Sequence, residues 1–298
     1  MTPSSKLVFF GTESFSVPSL QALIDAQYTI VAIVTKPDAR RGRGKKLFVH
    51  PIKQIGKNHG IPVLQPEKVG NIEQDLRALQ PDAAVLVSYG KIIPKRILDV
   101  FSPFGIINIH PSALPKYRGP SPIEAAILAG ETNTAISIMK LDEGMDTGPV
   151  FTQQVVSLTS KETKPMLSEQ LAKVGAKLLI ASLPSILNGT LEAQPQKNTD
   201  VSVTSLILKP DGILDPSTDT ALTLERKVRA YQEYPKPHIT LHSNDVIVTA
   251  ATVVASPSET ALVIPCAGNT YLEINELIAP SGRRMSGADF VHGYIKNN

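Results

Sequence analysis

The sequence predicts an α/β fold, a Rossmann-like domain with a parallel-rich sheet followed by a small OB-like β-barrel domain. Three observations predict it. Short continuous apolar runs alternate with helical stretches through the first half, as expected of strands covered on both faces by crossover helices. The chain has 298 residues, 42% of them hydrophobic, enough for two domains and a sizeable core. The last third carries short β runs separated by turn residues, the pattern of a small barrel.

In chain order, Lys6–Gly11 reads as a buried strand, Ser14–Ala26 as a helix and Thr29–Thr35 as a second strand, a right-handed parallel unit. Gly11-Thr12-Glu13-Ser14 is not Gly-x-Gly-x-x-Gly, which argues against a dinucleotide-dependent oxidoreductase. Lys36–Lys46 holds six basic residues and one acid, a local charge of +5 in a chain of net +3, so the remainder is −2. Two glycines and a proline make it a mobile loop, and one suited to gripping phosphates. His50–Asn58 and Asn71–Leu79 read as helices, Ile61–Leu64 as a short strand. Ala83–Ser88 is a buried strand ending at Tyr89-Gly90-Lys91-Ile92-Ile93-Pro94, a pocket rim where a flat ring can lie against backbone and Ile92.

Phe104–Ile107 is apolar and β-branched, and it runs into Asn108-Ile109-His110-Pro111. Side chains at i and i+2 of a strand share a face, so Asn108 and His110 project together at a strand's C-terminal end. Ligands of open parallel sheets bind there. Downstream, Gly144 and Gly148 flank Asp146 and permit a tight loop that aims its carboxylate back at His110. An Asn can donate to a developing oxyanion, a His can shuttle protons near neutral pH, and a carboxylate can orient that His. Gly-x-Ser-x-Gly is absent, which favours direct transfer over a covalent enzyme intermediate.

Ser121-Pro122-Ile123-Glu124 has the pattern of a capping box opening a helix that stops at Gly130. Thr134–Leu141 and Pro149–Val156 alternate as strands flanking the Asp146 loop. Pro165–Leu187 reads as an amphipathic helix ended by Gly189, with Pro184 expected to kink or break its last turn. Thr190–Thr204 is polar and patternless, a linker. The expected division is residues 1–189, a linker 190–204, and a second domain 205–298. That second domain has a helix near Ala221–Ala230 and strands at Ile239–His242, Val246–Val254, Ala261–Pro265 and Tyr271–Ile278. The single Cys266 excludes an intramolecular disulfide framework and points to a reducing compartment. The N-terminus lacks a signal-peptide core, and no apolar run suggests a bilayer span.

Asn108-x-His110-x-Ser112-x-Leu114-Pro115-x-x-Arg118-Gly119, followed by Asp142-x-Gly144-x-Asp146-x-Gly148, resembles the signature of the folate-dependent formyltransferases, and the resemblance runs over nearly the whole chain. It implies formyl transfer from 10-formyltetrahydrofolate as co-substrate, with no metal, and catalysis by Asn108, His110 and Asp146. It places folate on Ser112-Ala113-Leu114-Pro115 and on Tyr89, Gly90 and Ile92. The acceptor it implies is the α-amine of initiator methionyl-tRNA, gripped by the basic loop through Arg41, Arg43, Lys45 and Lys46, with an OB-like second domain also on the tRNA. A cytoplasmic monomer engaged in translation initiation, with no membrane partner, is the expectation. Three departures stand out. Ala113 replaces the usual Leu, and Glu13 replaces a proline, which should loosen that turn. Arg229–Pro235 departs from Arg-Ala-Phe-Asn-Pro-Trp-Pro. Two alternatives stay open: a formyltransferase for a small amine such as glycinamide ribonucleotide or an amino-sugar nucleotide, and an RNA-binding module with a decayed site.

Overall fold

The computed structural model describes residues 5–41, 46–257 and 261–295. These form two compact units. The first comprises Met1–Pro120, Asn133–Ser157 and Ser168–Thr204, the second Ser121–Thr132, Leu158–Leu167 and Ser205–Asn298.

The first unit opens with β1 (Lys6–Gly11), α1 (Val17–Asp25) and β2 (Thr29–Val34). A short antiparallel strand pair follows, β3 (Ala39–Arg41) and β4 (Lys46–Phe48), then α2 (Pro51–Asn58), β5 (Val63–Leu64), α3 (Glu73–Ala78), β6 (Ala83–Val87), α4 (Lys95–Leu98) and β7 (Ile106–His110). After α5 (Pro122–Ala129), which belongs to the second unit, come β8 (Asn133–Lys140), β9 (Val150–Ser157) and α6 (Lys164–Leu187). The sheet order is β5-β2-β1-β6-β7-β8-β9. The pairings from β5 to β7 are parallel, and β8 and β9 each run antiparallel to the strand before. Apolar runs with no polar alternation, such as Ala83–Val87, are buried at every position because the sheet is covered on both faces.

Phe10, Tyr89 and Phe101 form the aromatic centre of this core, Phe10 meeting each of the others edge-on at 5.5 and 5.9 Å between ring centroids. Phe101→Ala leaves a cavity among fully buried neighbours and is expected to lower unfolding free energy by about 3–5 kcal/mol in denaturant titration. The Tyr89 hydroxyl is buried with no hydrogen-bond partner among the described residues, and burial pushes its pKa up to about 12.

Several sequence expectations need correction here. Within the stretch Lys36–Lys46, expected as a mobile loop, the described residues on either side of 42–45 pair as strands: Ala39 with Phe48 and Arg41 with Lys46, antiparallel. Asp38 anchors the start of β3, accepting from Lys53 Nζ at 2.5 Å and Gln65 Nε2 at 2.9 Å. Those two partners hold its carboxyl below the ordinary range, so the anchor acts at neutral pH and weakens on acidification. At the Glu13 turn, Ser16 donates through both its amide and its hydroxyl to the Glu13 carbonyl, at 2.9 and 2.6 Å. Ser121 does not cap α5; its hydroxyl donates to the Ser205 carbonyl instead.

Pro184 does not break α6, which continues to Leu187 with the Asn188 amide on the Pro184 carbonyl at 3.1 Å. α6 is also long and apolar enough, by length and composition, to cross a membrane. Its Leu171, Leu179, Leu183 and Ile186 are nevertheless buried in the protein, and Gly175 lets it approach Ile109 of β7 and Ile136 of β8. Most consequentially, residues 190–204 are not a free linker. Gln194 exchanges both backbone hydrogen bonds with Val150 at 2.8 Å, and Ser202 and Thr204 bracket Arg118.

In the second unit, α7 (Ala221–Ala230) precedes a five-stranded antiparallel sheet. Its strands are β10 (His238–Leu241), β11 (Asn244–Val254), β12 (Val263–Cys266), β13 (Thr270–Ile278) and β14 (Arg284–Ser286), followed by the single-turn α8 (Gly287–Phe290). The sheet curls as a half-barrel around Leu224, Val228, Val248, Leu272, Ile274 and Phe290. Arg226 caps the C-terminal carbonyls of α5, Arg229 pairs with Glu225, and Lys164 with Glu233. Glu124 is mostly buried, and that raises its carboxyl pKa despite the nearby Lys164 ammonium. Cys266 lies in this core, its thiol donating to the Ile264 carbonyl at 3.4 Å, and burial raises its pKa.

Candidate active site

β7 is the last parallel strand of the sheet and pairs antiparallel with β8 on its other side. Its C-terminal end therefore sits where the strand direction reverses, and it carries Asn108 and His110, 5% and 4% exposed. The Asn108 carboxamide has no hydrogen-bond partner among the described residues.

His110 is committed at one nitrogen. Its Nε2 lies 2.9 Å from the Tyr117 carbonyl oxygen, which only accepts, so Nε2 carries a proton. The other ring nitrogen, Nδ1, faces Asp146 Oδ2 at 3.6 Å. That separation is too long for a hydrogen bond, so an Nδ1 proton is attracted by the carboxylate without being tied to it.

The Asp146 loop is fixed from several sides. Asp146 adopts φ +53°, a left-handed conformation that Asp tolerates better than most residues, and its Oδ2 accepts from the Gly119 amide at 2.7 Å. The Asp142 carboxylate accepts from the Gly144 amide and the Thr147 hydroxyl. At Gly148 any Cβ would overlap the Lys140 carbonyl oxygen, so the loop closes only with glycine there. The segment facing it is strained: Tyr117, an aromatic residue, sits at φ +56°. It is held by the Ser202 hydroxyl on its amide at 2.8 Å while its carbonyl receives His110.

Of the residues expected at folate, Ser112 is fully buried, with its hydroxyl donating to the Lys116 carbonyl at 2.6 Å. Ala113, Leu114 and Pro115 continue this turn, Leu114 being tied by its amide to Ser137 and by its carbonyl to Gln153. Tyr89, Gly90 and Ile92 follow the neighbouring strand β6. Ile92 is 86% exposed, Gly90 lies at φ +68° beneath the Lys36 side chain, and the Tyr89 ring faces the core. Only the backbone of Tyr89 faces its loop, accepting from Thr12 Oγ1 at 3.2 Å. Of the residues expected on tRNA, Arg43 and Lys45 lie outside the described residues. Arg41 and Lys46 end the paired strands β3 and β4.

A sequence profile of the family described as formyl transferase matches residues 5–183, and one described as formyl transferase, C-terminal domain, matches 206–295. A methionyl-tRNA formyltransferase of Halorhodospira halophila is 38% identical over 97% of this chain and 96% of its own. One from Chloroflexus aggregans is 39% identical over 97% of each. The chain belongs to the methionyl-tRNA formyltransferase family. Its fold is shared more widely. An N-formyltransferase from Helicobacter canadensis, in complex with folinic acid and dTDP-3-aminofucose, superposes with a TM-score of 0.70 over 91% of this chain and 98% of that one, at 20% identity.

For this formyltransferase, sequence reasoning overlooked two side chains that organise the site. Thr12, fully buried, joins the ends of β1, β2 and β6 through Tyr89, Lys36 and Thr35. Gln196 lies in the supposed linker and contacts both Arg118 and the Asp146 loop. Gln196 stands in no recognisable motif, because it acts on partners distant in sequence, and Thr12 lies in the Gly11–Ser14 turn, where no local pattern announces its partners.

Proposed function

We propose that this chain transfers the formyl group of 10-formyltetrahydrofolate to the free α-amine of methionyl-tRNA by direct attack, with Asn108, His110 and Asp146 as catalytic residues. The observation that carries the reading is the imidazole of His110 turned with Nδ1 toward Asp146 Oδ2 at 3.6 Å, on the same buried strand as the Asn108 carboxamide. Formyltetrahydrofolate supplies an activated carbonyl carbon. The amine nitrogen bonds to that carbon, the carbonyl electron pair moves to oxygen, and the bond from carbon to N10 then breaks as N10 takes a proton. Asn108 and the Nδ1 proton of His110 donate to the oxygen while it is negative. Asp146 orients the imidazole, balances its charge, and helps remove the proton lost by the amine.

The folate is assigned to the turn Ser112, Ala113, Leu114 and Pro115 and to the loop of Tyr89, Gly90 and Ile92. Burial of the Tyr89 ring restricts that residue to its backbone. The tRNA is assigned to Arg41, Arg43, Lys45 and Lys46. Residues 1–189 form the catalytic part and 205–298 an RNA-binding half-barrel. The reading places a monomeric enzyme in the cytosol, at initiator methionyl-tRNA.

The test is incubation with labelled 10-formyltetrahydrofolate, charged initiator tRNA and glycinamide ribonucleotide as competing acceptor. Label in N-formylmethionyl-tRNA is expected. Label in the ribonucleotide would transfer the assignment to a small-amine enzyme, and label in neither would leave an RNA-binding module. Arg43→Ala is expected to raise the KM for tRNA with kcat little changed, and to reduce the slope of log affinity against log salt by roughly one. An unchanged slope in filter binding removes Arg43 from the interface.

A further inference from the structure

We propose that Gln196 is a positioning residue that sets where the Asp146 carboxylate stands relative to His110, an inference that rests on the catalytic reading above. Its carboxamide makes four hydrogen bonds. Nε2 donates to the Asp146 and Gly148 carbonyls, each at 2.8 Å, so it grips the loop at the carboxylate-bearing residue and again at the glycine that closes it. Oε1 accepts from Arg118 Nε at 3.0 Å and Nη2 at 2.8 Å. Only one orientation of the amide satisfies this set. Two carbonyls demand a donor on one side, and a guanidinium demands an acceptor on the other.

Arg118 is itself fixed, its amide donating to the Ser202 carbonyl and its carbonyl accepting from the Thr204 amide and hydroxyl. On either side of it in the chain, the Tyr117 carbonyl receives His110 Nε2 and the Gly119 amide holds Asp146 Oδ2. Gln196 therefore splints the two segments that carry the imidazole's anchor and the carboxylate. Without the two donated bonds, Asp146 keeps its φ of +53° with less to hold it there, and the carboxylate is free to drift from Nδ1. Misplacement of a catalytic group by about 1 Å costs about 10²-fold in rate.

The test is a double-mutant cycle in steady-state turnover. Gln196→Met, which keeps length and removes all four bonds, is expected to lower kcat by about 10–10²-fold, with the KM for methionyl-tRNA within about two-fold. Gln196→Glu keeps the acceptor for Arg118 but presents no donor to the two carbonyls, and it is expected to fall with Gln196→Met. In an Asp146→Asn background, Gln196→Met is expected to change kcat by less than about two-fold, because the group it positions is already gone. Equal losses in both backgrounds would overturn the inference, as would wild-type turnover in Gln196→Glu or a lowered melting temperature with unaltered kcat. If Asp146→Asn destroys turnover while Gln196→Met does not, only the positioning role falls. If Asp146→Asn turns over normally, the catalytic reading falls and carries this one with it.

Discussion

Asn108→Ala lowers kcat by about 10²–10³-fold and leaves the KM for methionyl-tRNA within about two-fold. Preorganisation is the reason. Asn108 is held on a strand buried at every residue, between Leu86 of β6 and Met139 of β8, and its amide makes no competing hydrogen bond among the described residues. It can therefore donate to a developing oxyanion without first breaking a bond or reordering its surroundings. The ground-state formyl oxygen carries little charge, so the lost interaction belongs mainly to the transition state and shows in kcat. Single-turnover formylation at saturating co-substrate measures it. A variant weakened equally in KM and kcat would mark Asn108 as a binding residue.

His110→Ala is expected to cost about 10²–10⁴-fold in kcat/KM. Combining it with Asp146→Asn should cost little more than the worse single change, since residues that act as a unit are far from additive. The structure motivates this through connectivity. Nε2 is bound to the Tyr117 carbonyl, and the only anionic side chain paired with the imidazole among the described residues is Asp146. Multiplicative losses in the double variant would mean that the two side chains serve separate steps.

Much of this arrangement is legible in the sequence, for identifiable reasons. Parallel strands such as Lys6–Gly11 announce themselves because burial on both faces demands unbroken apolar runs. The i, i+2 spacing of Asn108 and His110 is a local consequence of the pleat, and the glycines around Asp146 mark a loop that no other residue closes. The parts that were not legible depend on tertiary partners. The pairing of Ala39–Arg41 with Lys46–Phe48 has no periodicity in so short and charged a stretch. The Ser121 hydroxyl had a local helix amide available and bonds the distant Ser205 carbonyl instead. Residues 190–204 look like a linker because their fixed backbone is satisfied by Val150, Pro115 and Arg118, rather than by a helix or strand of their own. Gly90 and Pro94 make Tyr89 look like a rim residue in the sequence, whereas its ring completes an aromatic cluster that only the folded sheet creates.

The sequestered sulfur of Cys266 has a practical use. Burial keeps it protonated and out of reach of maleimides, so the native chain offers such reagents almost nothing to react with at neutral pH. A cysteine installed at Ile92, where the native side chain is 86% exposed, becomes a unique attachment point for a fluorophore. It sits on the loop assigned to the folate, and its emission would give an optical readout of donor arrival without any radiolabel.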